Sequence, residues 1–225
     1  MYDWNWEVIS IYKTVFIHGA LMTIWLTLFA VVIGTGLGFA LAFLKRSRQL
    51  FLSGIAKVYI EIFRAIPLLV LLIWIFYVIP ILFDWRLSSF TAAVLALSIN
   101  LSAFIAETVR AGIESVPRGQ YESGLALGLS SRQVMWRIII PQAIKNMIPN
   151  LMGLYITQLK LSSLASVIAV NELLHRSNIL ISETFRPLEI YTTVAIVYLI
   201  IILPLVYLSK VVERRYGRAE GPILI

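Results

Sequence analysis

Glu122-Ser-Gly-Leu-Ala-Leu-Gly128, followed by Ser130 to Arg137 and then Ile138-Ile-Ile-Pro141, is a short mixed stretch between two very apolar segments. Its leucines and Ala126 are good helix formers, and Ser130-Ser131 is a natural place to end one helix and cap the next. The pattern predicts a short helix, a turn and a second helix starting near Ser131. Arg118, Arg132, Arg137 and Lys145 surround it. On the basic side of a membrane protein, such a loop is where a soluble partner docks.

The rest of the chain is apolar enough to need a membrane. Of 225 residues, 60% are hydrophobic and only 14% charged, with a mean hydropathy of +0.87. A soluble domain of this size cannot hide that much apolar surface. The net charge of +7 invites a nucleic-acid reading. The basic residues cluster at the ends of apolar runs, however, and orientation in a bilayer explains them better. The absence of cysteine excludes a disulfide framework, a thiolate metal site and a thiol nucleophile. His18 and His175 are isolated, so neither metal binding nor acid–base chemistry is expected. Met1 to Glu7 carries acids but no Lys or Arg, so no cleavable signal is expected.

Working outward, the uncharged runs give five spans, at about 19–44, 58–83, 87–113, 146–170 and 188–210. Each can cross a core of roughly 30 Å at about 1.5 Å per helical residue. The fold class is therefore all-α, a polytopic membrane protein of five transmembrane helices. Lys45-Arg-Ser-Arg48, the 115–141 loop and Lys210 to Arg218 mark the inside. The N-terminus is then outside and the C-terminus cytoplasmic. Gly34-Thr-Gly-Leu-Gly38 suggests a dinucleotide loop, but no strand precedes it, so close helix packing is the better reading. Pro67 is expected to kink the second span or open its first turn. Pro141 and Pro149 predict an in-plane or kinked approach to the fourth. The polar 170–187 segment reads as the longest outside connection.

Charged groups at membrane depth are costly and need partners or water. Glu61 and Arg64 end the second span on the inside, and Glu107 and Arg110 end the third. The shared depth predicts cross-helix pairing, Glu61 with Arg110 or Arg64 with Glu107, as a structural tie or a cytoplasmic-side gate. Asn100 lies near the midplane, as does Lys160 if the crossing starts near Pro149. Together with Ser102, Gln158, Ser162 and Ser163 they are candidates for a substrate pathway. A lysine ammonium can meet a substrate carboxylate. Bonding within the bundle is the alternative for each of them.

The spacing Glu-x5-Gly-x9-Ile-x-Ile-Pro resembles the EAA signature of ABC importer permeases, whose loop carries the coupling helix. Tyr59-Ile-Glu-Ile-Phe-Arg-Ala-Ile-Pro67, Ala106-Glu-Thr-Val-Arg-Ala-Gly112, Arg118-Gly-Gln120 with Ala126-Leu-Gly-Leu-Ser130, Ile140-Pro-Gln-Ala143, and Leu159-Lys160 with Ser163-Leu164 are similar to the polar amino acid branch, the histidine/glutamine/glutamate type. The signature's two alanines are Ser123 and Gly124 here. Position 161 is Leu where many relatives carry an acid or amide.

The resemblance implies a type I importer-like permease in a bacterial inner membrane. Two permease subunits, identical or sister chains, would frame one pathway through the bilayer. An ATPase dimer would dock inside, and a solute-binding protein would deliver a polar amino acid from outside. Substrate would move by alternating access. Glu122, Ser123, Gly124, Ala126, Gly128, Ile138 and Pro141 would couple the ATPase to the spans. Glu122 would sit by the positive N-terminal end of the coupling helix, Gly128 would permit its terminal turn, and Ile138 and Pro141 would anchor the loop. No Gly-x4-Gly-Lys-Ser/Thr loop is present, so no cofactor is expected in this chain, and ATP with Mg²⁺ would bind the separate ATPase. Within the resemblance, Met1-Tyr-Asp-Trp4 and Phe63-Arg-Ala-Ile-Pro67 lean toward an acidic substrate such as glutamate or aspartate, and Lys160 is compatible with a carboxylate. Basic or amide amino acids, or conjugates, stay open. The rival classes are an ion-coupled transporter or channel and a membrane-embedded assembly subunit.

Overall fold

The apolar runs fold into long helices because a bilayer leaves the backbone no other hydrogen-bond partner. The computed structural model describes residues 2–47 and 49–216. In order these are α1 (Glu7–Ile11), α2 (Lys13–Lys45), α3 (Leu50–Ala65), α4 (Leu68–Ile73), α5 (Ile79–Phe83), α6 (Ser89–Glu114), α7 (Arg118–Ala126), α8 (Ser131–Val134), α9 (Ile140–Leu161), α10 (Leu173–Thr184) and α11 (Pro187–Tyr216). Wide π turns at Trp74–Val78 and Met135–Ile139 join α4 to α5 and α8 to α9. Each precedes a proline, Pro80 or Pro141. Proline removes a donor and crowds the carbonyl one turn back, and a widened turn relieves that crowding.

Four stretches are long and apolar enough to cross a membrane: Lys13–Lys45, Ser89–Glu114, Ser131–Ile168 and Pro187–Arg215. The fifth is a bent pair, Leu50–Ala65 with Leu68–Phe83, turned by 106°. The second span is thus not the single run anticipated at 58–83. Its helix begins at Leu50 and breaks where Ile66 turns extended ahead of Pro67. The fourth crossing departs from expectation in the opposite way. It runs on from Ser131 and ends in a 3₁₀ stretch, Ser162–Ile168.

The hub is α6. Ala92, Ala93, Ala96, Ala103 and Ala106 are fully buried in it, and such small residues let other helices come close. Gly34 and Gly38 of α2 complete that fit. A Cβ on Gly38 would lie 2.7 Å from Ile105, whereas one on Gly36 would meet nothing within 4 Å.

The 170–187 segment, expected as a connection, is mostly helix. Glu172 caps α10 by accepting from Leu174 N at 2.9 Å and His175 N at 2.7 Å. The Leu173 amide is held by Thr23 Oγ1 at 3.2 Å. Phe16, Leu173, Leu180, Ile190 and Val194 form the apolar cluster beneath. The N-terminal residues close over the start of α11. The Tyr2 hydroxyl and the Asn5 amide (2.9 Å) both donate to the fully buried Glu189 carboxylate. Arg186 lies 3.7 Å from the same carboxylate and donates to the Asp3 carbonyl.

Candidate functional site

The 118–141 stretch is a helix–turn–helix locked at each joint. α7 ends in paired bonds, Leu129 N to Gly124 O at 3.2 Å and Gly128 N to Leu125 O at 2.9 Å. This closure needs a left-handed residue, and Gly128 supplies it with φ of 80°. Two residues on, Ser130 and Gln133 form a reciprocal capping box that starts α8. Gly124 is the buried face of α7, seated on Val134 and Ile138. The opposite face points away from the chain. Glu122, Ser123 and Ala126 of α7 are exposed, as are Leu125, Leu127 and, on the later π turn, Trp136. Pro141 is exposed just beyond.

Glu122 does not sit at the helix N-terminus as anticipated. α7 begins at Arg118, so Glu122 is mid-helix, beyond the first turn over which the dipole acts. It lines an open cavity of about 490 Å³ with Glu114, Arg118, Tyr121 and Met135.

Charges near the ends of α2, α3 and α6 converge on one carboxylate. Glu107 receives Lys45 Nζ at 3.3 Å, Arg64 Nη1 at 3.7 Å and Arg110 Nη2 at 2.6 Å. These cations come from α2, α3 and α6. The Arg64 guanidinium also lies 5.7 Å over the Phe104 ring. Of the two anticipated pairings, Arg64 with Glu107 is formed. Glu61 with Arg110 is not: Arg110 is already held between Glu107 and Glu114 on its own helix. Glu61 is exposed and has no ion pair among the described residues. Lys45, read only as an orientation marker, belongs to the cluster. No sequence pattern places it there, since its partner lies 62 positions away.

The six pathway candidates separate clearly. Asn100 is buried and donates to the Phe63 carbonyl at 3.2 Å. Gln158 is buried and donates to the Leu97 carbonyl at 3.1 Å. Ser102 bonds Ile99 O at 2.7 Å and lies 3.0 Å from the Tyr59 hydroxyl. Ser162 and Ser163 bond back to Leu159 O (2.7 Å) and Lys160 O (2.8 Å). Five of the six therefore tie helices or serve their own backbone. Lys160 alone is exposed, with no ion pair among the described residues. A further polar tie, Thr35 with Tyr155 at 3.1 Å, joins α2 to α9.

This architecture, broken and unbroken apolar spans with an exposed helix–turn–helix between two of them, is that of a polytopic helical membrane protein. Residues 33–218 match the family described as binding-protein-dependent transport system inner membrane component, and the chain belongs to it. A probable amino-acid ABC transporter permease, y4tF of Sinorhizobium fredii, is 39% identical over 209 residues, 91% of this chain and 88% of that protein. The glutamine transport system permease GlnP of Escherichia coli K12 is 36% identical over 217 residues, 95% and 97% of the two chains. The L-cystine permease TcyB of Bacillus subtilis is 37% identical over 201 residues, covering 89% and 86%. A crystal structure of an amino acid ABC transporter with histidines superposes with a TM-score of 0.91 at 38% identity, covering 95% of this chain and all of that one. The MetNI methionine transporter, at 19% identity and a TM-score of 0.73, shares the fold. The protein is a multi-pass inner-membrane permease subunit of an amino acid ABC importer.

Proposed function

We propose that this chain, with a second permease that is a copy or a sister chain, forms the pathway of an importer for polar amino acids. Glutamate and aspartate are the substrates that fit Lys160 best. The observation that carries the substrate reading is the exposure of Lys160 within the apolar Ser131–Ile168 stretch, without an anionic partner among the described residues. An ammonium there suits the α-carboxylate of any amino acid and also the side-chain carboxylate of an acidic one. In this reading the start of α2 faces outside, where a solute-binding protein delivers substrate, and the end of α11 faces inside.

ATP hydrolysis belongs to a separate ATPase dimer that grips the exposed face of α7. Leu125, Leu127 and Trp136 supply an apolar contact there, and Glu122 a charged one. Because Gly124 is seated on Val134 and Ile138, movement of α7 passes directly to the helix that continues into α9. Closure of the ATPase dimer is thereby converted to alternating access of the spans. The Glu107 cluster joins three helices at the inner mouth and acts as the gate on that side.

The test is purification of the tagged chain with its native partners, followed by ATPase assays with binding proteins loaded with a panel of amino acids. Stimulation by a glutamate- or aspartate-loaded binding protein is the expected result. Stimulation only by glutamine, cystine or a basic amino acid overturns the acidic assignment. Recovery of the chain alone, with uptake driven by an ion gradient in liposomes, overturns the coupling role of α7.

A further inference from the structure

We propose that Asn100 is a positioning residue for transport. Its side-chain amide replaces the backbone donor that Pro67 withholds from Phe63, and so holds the break in the second span at one angle.

In an unbroken helix the Phe63 carbonyl would accept from the amide of residue 67. Pro67 has no amide hydrogen. The last backbone bond of α3 is Ile66 N to Ile62 O at 3.0 Å, and the next helix opens with Leu71 N to Pro67 O at 3.1 Å. The Phe63 carbonyl falls in the gap, where an unpaired acceptor away from water is costly. Asn100 Nδ2 fills it at 3.2 Å from a buried position on α6. The amide is thereby committed to the scaffold, which removes Asn100 from the substrate pathway.

The neighbouring ties show what the break positions. Going along α6, Ser102 meets the Tyr59 hydroxyl, Phe104 lies under Arg64, and Glu107 receives Arg64. Those contacts grip side chains of α3. Among these ties Asn100 grips its backbone, one residue before Arg64 and in the last turn of α3 ahead of the 106° bend. Freed from Asn100, α3 can swing about Ile66 and carry Arg64 away from Glu107. The effect on transport rests on the alternating-access reading, whereas the effect on the break does not.

A double-mutant cycle tests this in the complete assembly in lipid nanodiscs and liposomes. Asn100→Leu removes the donor, and Pro67→Ala restores a backbone amide. Two measurements are made: substrate transported per ATP, and the distance between spin labels on Val58→Cys and Val70→Cys. Both label sites are exposed, and the chain has no native cysteine. Asn100→Leu is expected to lower coupling about tenfold, the order of effect of an unsatisfied buried carbonyl, and to broaden the label distances. In the Pro67→Ala background, the same substitution is expected to change neither. If Pro67→Ala straightens the span and stops transport by itself, the distance distributions decide alone. Equal broadening by Asn100→Leu in both backgrounds, or none in either, overturns the proposal. Absence of uptake by the unsubstituted assembly would count against the importer reading and leave the distance test intact.

Discussion

The backbone of Gly124 is so close to Val134 that a Cβ at position 124 would lie 2.8 Å from Val134 Cγ2. Ile138 Cδ1 would be 3.0 Å away. A larger residue must push α7 off the helix below it. Overpacking of this kind costs about 1–3 kcal/mol. Gly124→Leu is therefore expected to insert normally but to lose the co-purifying ATPase. Gly124→Ala should be weakened, and it should recover when Val134→Ala makes room. Retention of the ATPase by Gly124→Leu would show that the docked position of α7 is irrelevant to coupling.

Glu107 and Glu114 both bind Arg110, yet they should differ in weight. The Glu107 side chain is 22% exposed and shared by three cations, while that of Glu114 is 58% exposed and serves one. Glu114→Gln is expected to cost at most about 1 kcal/mol, as exposed pairs do. Glu107→Gln takes the carboxylate from Lys45 and Arg64 and leaves Arg110 with Glu114 alone, and is expected to cost about 1.5–3 kcal/mol, as hydrogen bonds to charged groups do. Thermal unfolding of the two variants in detergent reads the difference. If the cluster is also a gate, Glu107→Gln will raise ATPase activity in the absence of loaded binding protein.

The glycines of α2 make a paired test of helix packing. Gly36→Ala faces open space and should stabilise the helix by about 0.5–1 kcal/mol. Gly38→Ala collides with Ile105 at 2.7 Å and should destabilise. Size-exclusion profiles and melting temperatures of the two variants are expected to move in opposite directions. Movement in the same direction would mean that α2 does not rely on this seam.

Glu172 gives the outer region a pH dependence. Burial pushes its carboxyl above the ordinary range, against its bonds from Leu174, His175 and Tyr198, which favour the charged form. Protonation is therefore easier in the folded state than in the unfolded chain. Stability should fall as pH rises from the ordinary carboxylate value through the raised one, then level off. Glu172→Gln removes the titration and should flatten that slope, while losing part of the α10 cap. Unfolding midpoints across that interval, compared for the two chains, check the sign. A rise in stability over the same interval would contradict it.

The parts of the fold that depend on local composition are open to a reader of the sequence alone. Uncharged runs with basic ends mark the crossings, and Ser130 with Gly128 marks the turn between α7 and α8. Contacts between distant residues are not legible in this way. Asn100 in an apolar run looks the same whether it faces a substrate or a carbonyl 37 positions away. Lys45 looks like any basic residue at the end of a span. The 170–187 stretch reads as a connection because its polar content hides the α10 stripe, where Ser177 is buried between Leu173 and Leu180. The break at Pro67 is anticipated as a kink, but its size depends on where α3 finds its seat along α6.

The strap over Glu189 has a bearing on biogenesis. The groups that hold this buried carboxylate include Tyr2 and Asn5, which are synthesised long before Glu189 and the span it opens. α11 therefore completes its seat by recruiting a segment made well before it. Loss of Tyr2 to Asn5 would be felt late, as a newly inserted α11 that fails to lock and becomes a substrate for membrane quality-control proteases.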